Sequence, residues 1–214
     1  HESDFVILDN FERNQKTAWG SSARGSPYLH ITSDSPHSSI RRAVVSDGRL
    51  IAPPLGKEQS KIATYTGVDV GRLPHGVEAG VIFGPGAPGG AVALISTSAG
   101  VRSLRDITGW HGDGASGSVH MVFTDTVTLV QYFDCGKLIT VKEMKYERLP
   151  RRHRGYHIGW SYAGNGLFQV YLPNGRVEEF INSDMATKLG RFVVFEHYYK
   201  RGQAETMMDW IGVR

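Results

Sequence analysis

The groups in this sequence able to do chemistry are few: Glu178-Glu179, Phe195-Glu196-His197, Tyr198-Tyr199-Lys200-Arg201-Gly202 and Cys135. Cleaving a glycosidic bond takes two carboxylates flanking it, and two on one β-strand share a face only at alternate positions, as in E-x-D-x-E. No such triplet occurs. Glu178 and Glu179 are adjacent, which sends them to opposite faces of a strand, and the same objection holds for Glu196 and His197. A serine nucleophile needs a G-x-S-x-G elbow or an equivalent context, whereas Gly25-Ser26-Pro27 and the other serines read as ordinary loop positions. Cys135 falls in a hairpin turn with no neighbour to activate it, so an unreactive thiol is expected.

Metal ligation is equally unsupported. There is no H-E-x-x-H, C-x-x-C or EF-hand loop, and the nine histidines are scattered. Glycan binding needs less: an aromatic face for the sugar's C–H surface and planar polar groups beside it for the hydroxyls. The stretch Gly109-Trp110-His111-Gly112-Asp113-Gly114 supplies this set in one turn, which makes Trp110, His111 and Asp113 candidate ligand contacts. The competing use of Trp110 is to plug the edge of a sandwich. The basic run Arg151-Arg152-His153-Arg154 with Tyr156 is the second candidate; Arg151, Arg154 and Tyr156 can meet an anionic glycan or a protein partner, or form a solvated loop. Trp19, Trp160 and Trp210 alternate with apolar neighbours and are expected in the core.

These residues must be positioned by strands. The 214-residue chain carries 26 glycines and strand signals at short intervals: Phe5–Phe11, Lys61–Val70, Val77–Phe83, Ala91–Thr97, Ser118–Thr124, Thr126–Phe133, Lys137–Val141, Tyr156–Tyr162, Leu167–Leu172, Arg176–Ile181, Arg191–Tyr199 and Thr206–Arg214. Turn formers such as Pro173-Asn174-Gly175 and Asp134-Cys135-Gly136 separate them, and Leu167–Leu172 puts Phe168, Val170 and Leu172 on one face. A short helical turn near Asn182–Lys188, capped at Ser183-Asp184, is the one helix expected, and Ser21–Pro54 reads as surface loops with short strands. The fold class is therefore all-β, a two-sheet antiparallel sandwich in a single domain over residues 1–214. The net charge of +3 is too small to imply nucleic acid or membrane as partner. One cysteine excludes an intrachain disulfide, and no apolar run approaches the roughly 18 residues that span a bilayer. A start at His1 reads as a processed or excised piece of a larger, soluble chain.

The opening Asp9-Asn10-Phe11-Glu12-Arg13-Asn14 with Trp19-Gly20 resembles the D-x-F-x-R … W-G entry strand of laminin-G-like, concanavalin A-like jelly-roll domains, and Met207-Met208-Asp209-Trp210-Ile211-Gly212-Val213 resembles their last strand. Ser118–Thr124, Val130–Leu138, Val170–Gly175 and Phe192–Tyr198 are similar to jelly-roll segments of actinobacterial phage minor tail proteins. The resemblance implies that the first and last strands lie near each other in one sheet. It also implies a place outside the cell or on a virion tail, with cell-surface polysaccharide or other tail or surface subunits as partners. Laminin-G-like domains often hold calcium, for which Asp106, Asp113 and Asp209 are candidate ligands, although aspartates in turns ordinarily bond their own backbone; no other cofactor is expected. Tyr198-Tyr199-Lys200-Arg201-Gly202 resembles the Y-F-K-x-G strand of alginate-lyase jelly rolls, but their R-x-E-x-R strand and Q-[IV]-H segment are missing. A non-catalytic carbohydrate-binding, lectin-like module is the expected function. The alternatives are a polysaccharide hydrolase or lyase with a divergent site and an oligomerisation domain.

Overall fold

Alternation of apolar and polar residues, broken by glycine and proline at the corners, gives strands such as Leu167–Tyr171 that bury one face, while apolar runs such as Ala91–Thr97 are buried on both. The computed structural model describes residues 5–12, 28–31, 40–41, 43–98 and 117–214, with backbone alone at 29–31 and 40–41. In chain order the strands are β1 (Ile7–Asp9), β2 (Leu29–Ile31), β3 (Ile40–Arg41), β4 (Val44–Ser46), β5 (Arg49–Ile51), β6 (Lys61–Asp69), β7 (Gly76–Phe83) and β8 (Ala91–Thr97). They continue with β9 (Ser118–Phe123), β10 (Val127–Asp134), β11 (Lys137–Lys145), β12 (Tyr156–Tyr162), β13 (Leu167–Tyr171), β14 (Val177–Ile181), β15 (Phe192–Lys200) and β16 (Thr206–Val213). A helical turn, α1 (Ser183–Ala186), precedes β15. Its cap is Asn182, one residue earlier than expected, because the Asn182 side chain accepts the Met185 N–H.

One sheet runs β14-β13-β12-β7-β16-β5-β4 with β1 also on β16; the other runs β11-β10-β9-β8-β15-β6-β2 with β3 also on β6. Pairing is antiparallel except for the short β3–β6 contact. The order is that of a jelly roll, and the fold is a concanavalin A-like sandwich. As the resemblance implied, the chain ends meet: Ile7 pairs with Val213 and Asp9 with Ile211. The Asp9 carboxylate also accepts the Phe11 N–H at 2.9 Å and the Tyr28 hydroxyl at 2.6 Å. That arrangement holds Phe11 in a left-handed backbone (φ 58°) with its ring fully buried.

Between the sheets lie Val77, Ala79, Val81, Ile158, Trp160, Phe168 and Val170 from the first and Leu94, Met121, Phe123, Val130, Val193 and Phe195 from the second. Both expected hairpins form. At Cys135 and Gly136 the two central residues have φ of 48° and 80°, the left-handed pair that matches the strand twist. Strand β11 runs four residues beyond its expected end, to Lys145, after a bulge at Val130/Gln131 resets the pairing.

Candidate functional site

Trp110, His111, Asp113 and Asp106 lie outside the described residues, as does Trp19. Arg151 does not stand free: its guanidinium is 2.7 Å from the Asp125 carboxylate, which is wholly buried and which Arg148 meets at 3.1 Å. Tyr156 turns its ring toward the core and donates its hydroxyl to the Pro150 carbonyl, while the Arg152 guanidinium rides 3.7 Å above the ring. Arg154 is exposed. The structure thus divides the basic run. Arg151 braces the interior, and Arg152, His153 and Arg154 face outward.

Trp160 is in the core as expected, but Trp210 is not. Strand β16 bulges at Asp209, where the register steps from Met208↔Val81 to Trp210↔Gly80. In regular alternation Trp210, two residues on, would share the inward face of Met208; the bulge breaks that parity and the indole lies on the outer face of the first sheet. The site for it is made by glycine. A Cβ on Gly80 would stand 2.6 Å from Trp210 Nε1 and would collide with the Asp209 carboxylate. Gly80 also pairs with His157 on the other side, so one bare position lets two rings close over β7.

The result is a row of rings across this face. Phe5 meets Trp210 edge-on at 6.3 Å, Trp210 and His157 lie parallel at 6.1 Å, and His157 and Tyr171 stack at 5.5 Å. Polar groups flank the row. Glu78 accepts from His157 at 2.7 Å and pairs with Arg214 at 3.1 Å; it leans across Gly159, where a Cβ would stand 2.7 Å from its Cγ. Burial alone would raise the Glu78 carboxyl, yet His157 and Arg214 outweigh it and hold the group below its usual range. The Tyr171 hydroxyl donates to Ser161 Oγ at 3.1 Å, and Gln169 donates to Glu179 at 3.0 Å. Asp209 accepts the Gly155 N–H at 2.9 Å with one oxygen, and its other oxygen is buried without a partner. Beside the row opens a depression of about 690 Å³ lined by Arg152, His157, Tyr171 and Arg176, and Arg152 also borders a second of about 390 Å³ with Arg49, His153 and Met207.

The outer face of the second sheet carries a different set. Glu196 stands directly opposite Tyr65 on β6 and Ala93 on β8. Burial pushes its carboxyl up to about 7, against the pull of the Tyr65 hydroxyl. That hydroxyl is itself buried, and burial and the Glu196 charge raise it well above the usual phenol range. Farther along, His120 shares a 2.7 Å bond with Ser118 and is held neutral, its pKa near 3, by burial. The outward neighbours of Glu196 are Val194 and Tyr198 on β15, Ala63 and Gly67 on β6 and Ala91 and Ile95 on β8. Among these described neighbours no second carboxylate faces it. His197 points inward, as adjacency to Glu196 requires. Among the described residues, no three His, Cys, Asp or Glu side chains converge as a metal site would need.

No protein-family model and no curated protein sequence matches this chain. Solved structures match over nearly its whole length. LamAcat of Zobellia galactanivorans superposes with a TM-score of 0.61 at 12% identity, covering 100% of this chain and 99% of its own. The laminarinase of Rhodothermus marinus gives 0.61 at 11% identity, covering 98% and 96%. β-Agarase A, solved in complex with oligoagarose, gives 0.59 at 12% identity, covering 97% and 90%. At such identities the likeness defines the class of the fold, the concanavalin A-like jelly roll, and leaves the activity to be argued from the site.

Proposed function

We propose that the chain is a non-catalytic glycan-recognition module whose ligand lies along the outer face of the first sheet, over Trp210, His157 and Tyr171. The observation that carries this reading is the row of rings set over glycine and flanked by Glu78, Ser161 and Gln169. Rings supply the apolar surface that sugars stack on, and the bonded polar groups beside them supply fixed donors and acceptors. The Trp110-His111-Asp113 turn remains a candidate second contact. The resemblance of the end strands supports a setting outside the cell, on a phage tail or a secreted surface protein, with this domain as one part of a longer chain. Binding to a glycan array and to isolated cell walls tests the reading. Wild type binds, and Trp210→Ala and Tyr171→Ala each weaken binding by about tenfold or more. If neither glycans nor walls are bound, an architectural or oligomerising role replaces recognition.

Glu196 favours a second reading. A carboxyl with a pKa near 7 beside a tyrosine suits proton transfer in polysaccharide cleavage. Release of reducing ends or of unsaturated sugars by wild type, abolished in Glu196→Gln, would establish it; no release by wild type would remove it.

A further inference from the structure

The two depressions beside the aromatic row have a one-sided chemistry. Among the described residues their linings hold Arg49, Arg151, Arg152 and Arg176 with His153 and His157, and not one carboxylate. Two of these arginines are neutralised elsewhere: Arg151 by Asp125, and Arg176 by the close pair it makes with Glu178. Among the described residues, Arg49 and Arg152 make no ion pair, and neither does the exposed Arg154 beside them.

The guanidiniums are nevertheless held in place. Arg49 donates to the His153 carbonyl at 3.1 Å, and Arg152 donates to the carbonyls of Arg154 and Gly155, both at 2.9 Å, with its plane on the Tyr156 ring. Carbonyls orient a guanidinium without cancelling its charge. Part of the entropy of fixing these side chains is therefore already spent before a ligand arrives. The available groups are also donors only, which suits a ligand that presents acceptors only: a carboxylate, sulfate or phosphate ester. Arg152 borders both depressions, and His157 joins one of them to the ring row.

We infer that the ligand of this face is an anionic polysaccharide, its sugar rings on Trp210, His157 and Tyr171 and its acidic groups on Arg152, Arg49 and Arg154. This rests on the glycan-recognition reading above and adds the class of sugar. Uronate and phosphodiester polymers share the required chemistry, and the experiment separates them.

The test measures binding of the whole chain to polygalacturonate, a poly(glycerol phosphate) teichoic acid, neutral laminarin and, as a polyanion without sugar, polyglutamate. At least one anionic glycan binds about tenfold or more tighter than laminarin at about 50 mM salt and loses that advantage near 500 mM. Arg152→Gln and the double variant Arg49→Gln/Arg154→Gln each remove about tenfold of that affinity, and Trp210→Ala removes a comparable share that salt does not reproduce. Arg154→Gln alone, at an exposed position, serves if the others are destabilised. Equal binding of laminarin with loss in Trp210→Ala overturns the anionic class and leaves glycan recognition standing. Equal binding of polyglutamate, insensitive to Trp210→Ala, overturns both, as does binding of none of the four.

Discussion

Trp160 on β12 donates its indole N–H to the Leu94 carbonyl on β8, 3.2 Å away, and so joins the two sheets through the middle of the core. The side chain is wholly buried and packs on Phe168. Trp160→Phe removes the donor and part of the volume and is expected to lower stability by about 2 kcal/mol; Trp160→Ala adds a large cavity and is expected to lose about 4 kcal/mol. Urea titration reads both as a shift of midpoint. A midpoint unmoved in Trp160→Ala would show that the sheets are held together elsewhere.

Asp125 is wholly buried between Arg148 and Arg151, which are partly exposed. Taking away both arginines leaves a carboxylate in a poorly solvated place, whereas taking away the carboxylate leaves arginines that can turn to water. Arg148→Ala/Arg151→Ala is therefore expected to lose about 3 kcal/mol and Asp125→Asn less. In the Asp125→Asn background the arginine changes should become nearly silent. Additive losses in that double-mutant cycle would remove the ion-pair explanation.

The fold was legible in the sequence to a degree the site was not. Residues such as Phe168, Val170 and Leu172 repeat at period two, and Asp134-Cys135-Gly136 carries its turn in its own composition, so strands and corners follow from local chemistry. Trp210 fails that logic because its side is set by one extra residue at Asp209, and a bulge leaves no mark in the alternation itself. The available signal was indirect: Gly80 and Gly155, where a Cβ would strike Asp209. Glu196 and Tyr65 are 131 positions apart in sequence order, and only the β15–β6 register brings them together. Arg151 and Arg152 are indistinguishable as letters; which one reaches Asp125 depends on the path of the loop between β11 and β12.

Two buried histidines are expected to make the fold sensitive to acid. Burial lowers His120 to about 3 and His197 to about 4, and His197 Nε2 has no partner at all. In the unfolded chain both titrate near 6.5, so as pH falls below that value the unfolded state takes up protons that the folded state refuses. Stability is expected to drop by about 2 kcal/mol per histidine between pH 7 and pH 5 to 4.5. His197→Leu, which fills the same inward position without a basic nitrogen, should lose less on acidification than wild type. Equal acid sensitivity in the two proteins would exclude His197 as a source.

Glu196 acts in the opposite direction. Its carboxyl titrates near 7 in the folded chain and near the ordinary 4.5 when unfolded. The folded state is thus favoured by this group while it stays protonated, and the advantage is lost as pH rises from about 4.5 through 7. Relative to Glu196→Gln, wild type should become less stable by about 2 to 3 kcal/mol between pH 5 and pH 8, a window in which the histidines push the other way below 6.5. The Tyr65 hydroxyl is what pulls this pKa down, so Tyr65→Phe should move the transition to higher pH. Following the Glu196 carboxyl carbon by NMR separates the group from the histidines. A titration near 4.5, or one unmoved in Tyr65→Phe, would mean that water reaches the carboxyl and that the pair opposite each other on β15 and β6 does not act as a unit.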